Sequence, residues 1–372
     1  MNKNKILKYL TIFIFLGFIF IFPIINLITP DKIISEMENK ILTQMPKISF
    51  DKIKNGSFMK SFDEYTSDQF PFRENFISLK NSFSYFLGIR EFRNIYITNS
   101  NKLLEKFTFN KEIIDKNISQ ANILSKNLYD KYNINSTIMV IPTSIAFYSD
   151  DLPSYAIADN QKYALDYMSD KMHNFYTPYY VLLKNKDKYI YFNTDHHWTQ
   201  LGAKIAYDDL YNSIKNNDIH NYKKVSDDFF GSYYSKALLP MIKGDSIYAY
   251  ENYNSFKIKI DFDKEYNTLY DNTKLNGKNK YQYFLHGDPA FAVVEGNTKS
   301  KKEILIFKDS FAHNFIPFLT NDYGKIHIID PRYYTLDLDK YLKENNNISD
   351  ALFINNIQTL NESLFYKNTL FD

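Results

Sequence analysis

The sequence contains no cysteine. This absence excludes disulfide bonds, thiolate metal sites, a cysteine nucleophile and a lipidated N-terminal cysteine. Glycine is also scarce, with 10 residues in a chain of 372, and neither a GxGxxG nor a GxxxxGK[ST] loop occurs. Glycine-rich loops that cradle the phosphates of dinucleotides or nucleoside triphosphates are therefore excluded as well.

Neither sign of charge is in excess, because 45 Lys and Arg residues face 43 Asp and Glu residues. The net charge of +2 creates no basic field of the kind that attracts nucleic acid. We therefore expect no nucleic-acid partner. The shares of hydrophobic residues (44%) and charged residues (24%) are those of a globular protein and argue against a disordered or fibrous chain.

One long apolar segment is present, at residues 9–28, and it contains no charge. Twenty residues in a helix span roughly 30 Å, the thickness of a hydrocarbon core. Three lysines precede the segment and Asp31 follows it, which predicts a cytoplasmic N-terminus and an extracytoplasmic remainder. A cleaved signal peptide is the alternative, although the first alanine of the chain is Ala121 and cleavage sites require small residues.

The composition divides the chain into three parts. Residues 1–30 form the cytoplasmic tip and the membrane anchor, and residues 31–115 are interpreted as a stalk and an N-terminal cap segment. Residues 116–372 show strand–helix alternation and form the predicted main domain, in which 217–285 is a tyrosine-rich candidate insertion. Such alternation predicts an α/β fold with a parallel sheet covered by helices on both faces.

Short apolar runs mark the predicted strands of this domain, and apolar residues at helical spacing mark its helices. The predicted strands are 137–142, 189–192, 258–262, 290–294, 303–307, 326–329 and 351–354. The predicted helices are 161–175, 199–214, 311–319 and 336–344. In parallel sheets the ligand binds beyond the carboxyl ends of the strands. This places the segments at 308–310, 330–332 and 355–356 at the predicted ligand edge.

Ser310 follows a buried strand directly and precedes a helix. A hydroxyl at such a turn lies beside backbone N–H groups and the positive end of the helix dipole, which suits a nucleophile whose adduct carries an oxyanion. The alternative is that Ser310 or Asp309 only caps the helix.

A second cluster, Asp195, His196 and His197, precedes the one tryptophan of the chain, Trp198. A serine nucleophile needs a base, and the base needs a carboxylate that fixes its tautomer. Residues i and i+2 point the same way in extended chain, so the pattern favours Asp195 with His197 as that pair. There are two alternatives: a metal site formed by Asp195, His196 and His197, or a structural loop around Trp198. We favour the Asp–His pair and therefore expect no metal or cofactor.

The string YFNTDHHWTQLGAKIAY at 191–207 resembles the signature of the DHHW family of Gram-positive bacteria. That family is related to the alginate O-acetylation proteins, a branch of the SGNH/GDSL hydrolase-like superfamily. Four further segments carry the resemblance, at 68–73 (DQFPFR), 141–144 (IPTS), 307–319 (FKDSFAHNFIPFL) and 329–334 (IDPRYY). The resemblance implies an SGNH hydrolase-like, flavodoxin-like three-layer fold with permuted motif order, in which the Asp-x-His pair precedes the serine.

By this resemblance Ser310 is the nucleophile, His197 the base and Asp195 its orienting carboxylate. Lys308 stands where the superfamily has glycine, so the oxyanion-hole geometry is left open. The superfamily's asparagine corresponds to Asn356 or Asn355, of which we favour Asn356, with a loop asparagine as the alternative. The remaining candidates for oxyanion or substrate binding are Arg332, for which a surface ion pair is the alternative, His196, His313, Tyr333 and Thr143.

The implied activity is O-acetyl transfer to a cell-surface or secreted polysaccharide through an acetyl-serine intermediate. The implied donor partner is a multipass membrane-bound O-acyltransferase, and the implied location is the outer face of the cell membrane of a Gram-positive bacterium. Two alternatives stay open: a carbohydrate acetylesterase with the same triad, and a non-catalytic glycan-binding or assembly protein of a polysaccharide export complex.

Overall fold

The computed structural model describes residues 3–211, 222–250, 256–296 and 299–369. The chain forms two compact units. The first comprises Met1–Ile89 and Ser235–Met241, and the second comprises Arg90–Tyr234 and Ile242–Asp372. The predicted end of a helix at Ile214, and a small part of the candidate insertion, lie outside the described residues.

The first unit begins with a long apolar helix and continues with a short hairpin and three helices. Its elements are α1 (Lys3–Ile28), β1 (Ile34–Ser35), β2 (Lys40–Ile41), α2 (Phe50–Lys54), α3 (Ser57–Asp68) and α4 (Arg73–Phe86). Within the described residues, α1 is the one helix that is long and apolar enough to cross a membrane, so it could anchor the protein there.

The second unit contains the remaining strands and helices. Its strands are β3 (Glu91–Phe92), β4 (Ile95–Ile97), β5 (Leu103–Glu105), β6 (Asn135–Ile141), β7 (Phe175–Tyr176), β8 (Tyr222–Phe229), β9 (Asp245–Tyr250), β10 (Phe256–Ile260), β11 (Lys264–Tyr266), β12 (Phe291–Gly296), β13 (Glu303–Lys308), β14 (Lys325–Ile329) and β15 (Ile348–Asn356). Its helices are α5 (Lys111–Tyr132), α6 (Ile145–Tyr148), α7 (Gln161–Ser169), α8 (Tyr179–Lys184), α9 (Gln200–Leu210), α10 (Ser232–Ala237, shared with the first unit), α11 (Ile316–Leu319), α12 (Leu338–Glu344) and α13 (Ile357–Glu362).

The central sheet has eight strands in the order β11-β10-β12-β14-β13-β15-β6-β7. The five strands from β14 to β7 are parallel, whereas β12, β10 and β11 pair antiparallel at one edge. The fold is therefore mixed α/β: the parallel sheet that the sequence predicts is present, and an antiparallel edge extends it. At this edge β10 and β11 pair antiparallel, and β10 has the alternating burial of a strand with one face on the core.

Helices cover both faces of this sheet. Leu305 and Phe307 of β13 pack in a cluster with α5, α7, α12 and α13. Ile304 and Ile306, which point to the other face, pack in a second cluster with α8, α9 and α11. The near-continuous burial of β13 is expected for a central strand that is covered on both sides.

Three predicted elements differ clearly from the observed ones. The predicted helix at 161–175 ends at Ser169, and Phe175 begins strand β7. Residues 189–192 form no regular strand and contribute only an isolated bridge between Tyr191 and Trp198. The predicted helix at 311–319 is a 3₁₀ turn, Ser310–Asn314, followed by the short helix α11. Pro317 lies in the first turn of α11, where a proline starts a helix more readily than it continues one.

Asn117 ties α5 to the end of the chain. Its side chain is fully buried; it donates to the carbonyls of Leu360 (2.7 Å) and Ser363 (2.7 Å) and accepts from the N–H of Phe365 (2.9 Å). We predict that Asn117→Ala lowers the free energy of unfolding by about 3 kcal/mol, because it leaves three backbone groups unpaired. Urea unfolding of the detergent-solubilised chain, followed by Trp198 fluorescence, measures this.

The matched control is Asn122→Ala on the same helix, whose hydrogen bonds to Lys171 and His173 are exposed. We expect this variant to lose about 1 kcal/mol or less. Equal losses in the two variants would contradict the role given to Asn117.

Candidate active site

Ser310 lies where the sheet ends and the 3₁₀ turn begins. Asp309 caps this turn by accepting from the N–H of Phe311 (2.9 Å). The second carboxylate oxygen of Asp309 accepts from the backbone N–H (2.7 Å) and the side-chain Nδ2 (2.8 Å) of Asn356, at the end of β15. Two neighbouring parallel strands thus hold the turn, and Asp309 is the capping residue while the hydroxyl of Ser310 stays available for another partner.

That partner is His197. The Nε2 atom of His197 lies 2.7 Å from Oγ of Ser310, and its Nδ1 atom lies 2.5 Å from Oδ1 of Asp195. Asp195 also accepts from the backbone N–H groups of His197 (3.0 Å) and Ser232 (2.7 Å). The three side chains form a continuous hydrogen-bond chain of the kind that activates a serine.

The neighbouring His196 takes a different partner. Its Nδ1 atom lies 3.6 Å from Oδ1 of Asp195 but 2.6 Å from Oγ of Ser232. The ligand atoms of Asp195, His196 and His197 lie within 4.8 Å of one another, so by proximity they could hold a metal ion. However, each of the three side chains is hydrogen-bonded within the protein, and His197 bridges Asp195 and Ser310 as a triad requires.

Burial sets the proton affinities of the pair. Burial lowers the pKa of His197 below 6.5, and the charge and hydrogen bond of Asp195 offset only part of this effect. Burial alone would raise the pKa of Asp195, but the two histidines and the N–H of Ser232 hold it well below its usual range. At neutral pH the Asp195 carboxylate is therefore ionised and the His197 imidazole is neutral.

Hydrogen bonds of Trp198 connect the two motifs. Its ring is fully buried, and its Nε1 donates to the carbonyl of Phe311 (2.8 Å). Asn314 donates in turn to the carbonyl of Trp198 (2.9 Å). The loop that carries Asp195 and His197 is thus hydrogen-bonded to the turn that carries Ser310, which fixes the distance between the His197 imidazole and the Ser310 hydroxyl.

Lys308 lies in a cluster of charged side chains around the buried Asp330. Its Nζ is fully buried and lies 2.6 Å from Asp288, 3.2 Å from Asp330 and 3.0 Å from Nε2 of His313. Arg332 forms a bidentate pair with Asp330 (2.9 and 2.6 Å) and also reaches Asp288 (3.5 Å). The two cations and two carboxylates balance one another; Lys308 and Asp330 are fully buried, whereas Arg332 and Asp288 reach the surface.

The other predicted site residues lie in different settings. Both N–H groups of the Asn356 carboxamide are occupied, by Asp309 and by Oγ1 of Thr359 (2.7 Å), so in this arrangement the amide orients the turn. Asn355 accepts from the hydroxyl of Tyr366. Thr143 is buried and hydrogen-bonded to Gln161 (2.7 Å). Tyr333 is exposed, with the Arg332 guanidinium 5.1 Å from its ring centre.

Sequence reasoning missed Tyr281, which lies in the candidate insertion. Its ring stacks on the His197 imidazole with centres 3.6 Å apart and planes inclined by 8°. Its hydroxyl donates to the carbonyl of Ser310 (2.9 Å). One side chain thus contacts both the imidazole of His197 and the backbone of Ser310, and nothing in a tyrosine-rich stretch distinguishes it from its neighbours.

Sequence reasoning also missed the residues that position Asp195. Asp245 of β9 accepts from the N–H of Asn193 (2.8 Å), the N–H of Thr194 (2.7 Å) and Oγ1 of Thr194 (2.5 Å), which fixes the start of the loop. Gly231 packs so closely on Asp195 that an added Cβ would lie 2.2 Å from the Asp195 Cβ. Because the chain has only ten glycines, Gly231 was the sequence feature that could have indicated a close contact here.

Comparisons with known proteins agree with this architecture. The family model described as DHHW protein matches residues 91–329. A DHHW family protein from Eubacterium siraeum has 21% sequence identity and a TM-score of 0.63, and the match covers 75% of this chain and 95% of that one. Bacillus cereus PatB1, solved with a sulfonyl adduct, has 22% identity and a TM-score of 0.60, with 74% and 99% covered.

The O-acetyltransferase domain of Pseudomonas putida AlgJ is a more distant likeness, with 12% identity and a TM-score of 0.45, covering 73% of this chain and 93% of that domain. No curated protein matches the chain.

Gly231 provides a test of the site's geometry. We predict that Gly231→Ala lowers the rate of acyl transfer by about 10²-fold, because the new methyl group displaces Asp195 and thereby misplaces the imidazole. Turnover of a chromogenic acetyl ester by the purified chain measures this. The control is Gly277→Ala, where the nearest atom lies 3.6 Å from the added Cβ and the backbone φ is −91°. If both variants keep full activity, Asp195 is not part of the machinery.

Proposed function

Because the chain belongs to the DHHW family, we propose that it is a membrane-anchored extracytoplasmic O-acetyltransferase that acts on a cell-surface or secreted polysaccharide. The observation that carries the proposal is the hydrogen-bond chain Asp195–His197–Ser310 at the carboxyl end of the central strand β13. This is the edge of an α/β sheet at which ligands bind.

In the proposed first step, Nε2 of His197 takes the proton of Ser310 while Oγ attacks the carbonyl carbon of an acetyl donor. The tetrahedral intermediate collapses, the bond to the leaving group breaks, and the leaving group takes the proton from His197. Acetyl-Ser310 remains. Asp195 stays ionised throughout and stabilises the imidazolium that forms between the two proton transfers.

The second step repeats the chemistry with a sugar hydroxyl in place of Ser310. His197 removes the hydroxyl proton, the sugar oxygen attacks the acetyl carbonyl, and Ser310 leaves with the proton that His197 returns. The acetyl group is now an ester of the polysaccharide, and the enzyme is restored. No cofactor or metal takes part in this scheme.

The supporting residues receive roles according to their contacts. Asn356 and Asp309 hold the turn, and Lys308, Arg332 and the buried His313 belong to the charge cluster around Asp330. Tyr333 is the residue that we assign to the acceptor, since an exposed ring suits a sugar face. We assign His196 and Thr143 to shaping the site rather than to contacting the reacting atoms.

We further propose that α1 anchors the chain in the cell membrane of a Gram-positive bacterium, with the domain outside. The lysines at positions 3, 5 and 8 support this orientation by the positive-inside rule. In this arrangement the acetyl donor is a multipass membrane-bound O-acyltransferase that exports the acetyl group, and the anchor keeps Ser310 near the point of export.

The PatB1 structure with a sulfonyl adduct supports a nucleophile in this fold, because sulfonyl reagents bond to activated nucleophiles. An acetylesterase would use the same triad with water as acceptor. A glycan-binding or assembly protein would not need Ser310 at all. These alternatives are outcomes of the following experiment.

We predict that Ser310→Ala abolishes acetyl transfer, with a loss of about 10³-fold or more, because no oxygen remains to carry the acetyl group. Purified chain is given an acetyl ester with and without an oligosaccharide, and acetylated sugar and free acetate are measured. Acetylated sugar from the parent chain supports the transferase. Acetate alone indicates the esterase, and undiminished transfer by Ser310→Ala refutes the nucleophile.

The pH profile tests the base. Because burial lowers the pKa of His197, the imidazole is neutral and active above that pKa, and activity should fall as pH drops through a value below 6.5. We predict that Tyr281→Leu, which uncovers the ring, moves this fall to higher pH. Tyr281→Phe keeps the ring stacked and loses only the hydrogen bond to Ser310, so it should lower the rate without moving the fall. A flat profile in the parent chain would contradict the assignment of His197.

A further inference from the structure

Helix α4 presents an unusual surface to solvent. Phe72, which precedes the helix, and four residues along it, Phe76, Leu79, Phe83 and Phe86, recur at intervals of three and four residues and point outward. Phe83 is 62% exposed and Phe86 is 84% exposed. We call these five residues the α4 stripe. Amphipathic helices of globular proteins normally turn such a stripe toward the core, and a contiguous exposed apolar patch marks an interaction site.

The opposite face of α4 is fixed to the rest of its unit by polar contacts. The buried Asn81 donates to the carbonyl of Ala237 (2.7 Å). Glu74 accepts from the hydroxyl of Ser35, and Arg73 forms an ion pair with Glu38. The α4 stripe cannot turn inward without breaking these contacts, so the contacts keep it facing solvent.

The stripe lies beside α1. Phe76 packs on Phe22 (5.7 Å between ring centres) and on Phe18 (6.3 Å). Phe70, just before the helix, stacks on Phe22 at 5.4 Å. The exposed apolar surface of α1 therefore continues directly into the α4 stripe.

The depth of this contact can be estimated from α1. The last charge before the apolar run is Lys8 and the first polar residue after Phe22 is Asn26, which gives an apolar length of about 27 Å, close to a hydrocarbon core. Phe22 and Phe18 then lie about 6 Å and about 12 Å below the boundary at Asn26. Helices that lie in a membrane interface bury their apolar face by about 5–10 Å, a range that includes the depth of Phe22.

We propose that α4 is a second membrane-contacting element, which lies in the outer interface with the α4 stripe among the lipid acyl chains. The occupant of the stripe is the bilayer, because the stripe is continuous with the spanning helix and meets it at interfacial depth. Lys80, exposed beside Leu79, is placed to extend its ammonium toward the headgroups. The inference rests on the proposed anchoring by α1.

The absence of cysteine makes the test direct, since each introduced cysteine is unique. Full-length chain with a spin label at Phe83→Cys is reconstituted into vesicles of phosphatidylcholine and phosphatidylglycerol. Phe86→Cys is a second reporter in case the first variant fails to fold. Collisions with oxygen, which partitions into lipid, are compared with collisions with a water-soluble nickel chelate. Phe15→Cys in α1 reports the anchor, and Glu64→Cys, exposed on α3, reports water.

We expect labels at positions 83 and 86 to give an oxygen-to-nickel collision ratio several-fold above that at position 64 and on the side of that at position 15. An aqueous ratio at 83 and 86 with a lipid ratio at 15 overturns the inference and leaves the anchor intact. An aqueous ratio at 15 overturns both. Labels at 83 and 86 that are shielded from both reagents show that protein covers the stripe, as in a dimer, and also overturn the inference.

Discussion

The hydrogen bonds of His197 are the constraint on which the site depends. They join a carboxylate two residues away to a hydroxyl 113 residues later, so the two motifs function only when the sheet brings them together. Two residues, Trp198 and Tyr281, hold the two motifs together. Trp198 is hydrogen-bonded to the 3₁₀ turn, and Tyr281 contacts the imidazole and the backbone of Ser310. The loop with His197 and the turn with Ser310 are thus held by two separate sets of contacts.

The charge cluster around Lys308 shows how a lysine is accommodated two residues before Ser310. A fully buried lysine requires counter-charges, and Asp288 and Asp330 supply them. Arg332 completes the balance by its bidentate pair with Asp330. Lys308 is therefore accommodated through charge, and Arg332, which the resemblance suggested for substrate, is paired with carboxylates of its own chain.

The fold and the centre of the site follow from local patterns in the sequence. Buried strands such as β13 appear as apolar runs, and the alternation of extended chain places Asp195 and His197 on the same side. Tyr281, Asp245 and Gly231 could not be identified in this way, because their roles depend on which loop folds over which. The strand at 258–262 was predicted from its alternation, but the direction in which β10 pairs with β12 could not be, since it depends on connections and not on composition. The hydrogen bonds of Asn356 to Asp309 and Thr359 could be identified only from the folded turn.

The most direct test of the account is to map the covalent acyl intermediate. The purified chain is mixed with a chromogenic acetyl ester, quenched in acid during turnover and digested, and the acetylated peptide is identified by mass spectrometry. The account predicts one acetyl group on Ser310 in the parent chain and a greatly slowed appearance of it in His197→Ala. An acetyl group on another residue, or unchanged labelling of Ser310 without His197, would contradict it.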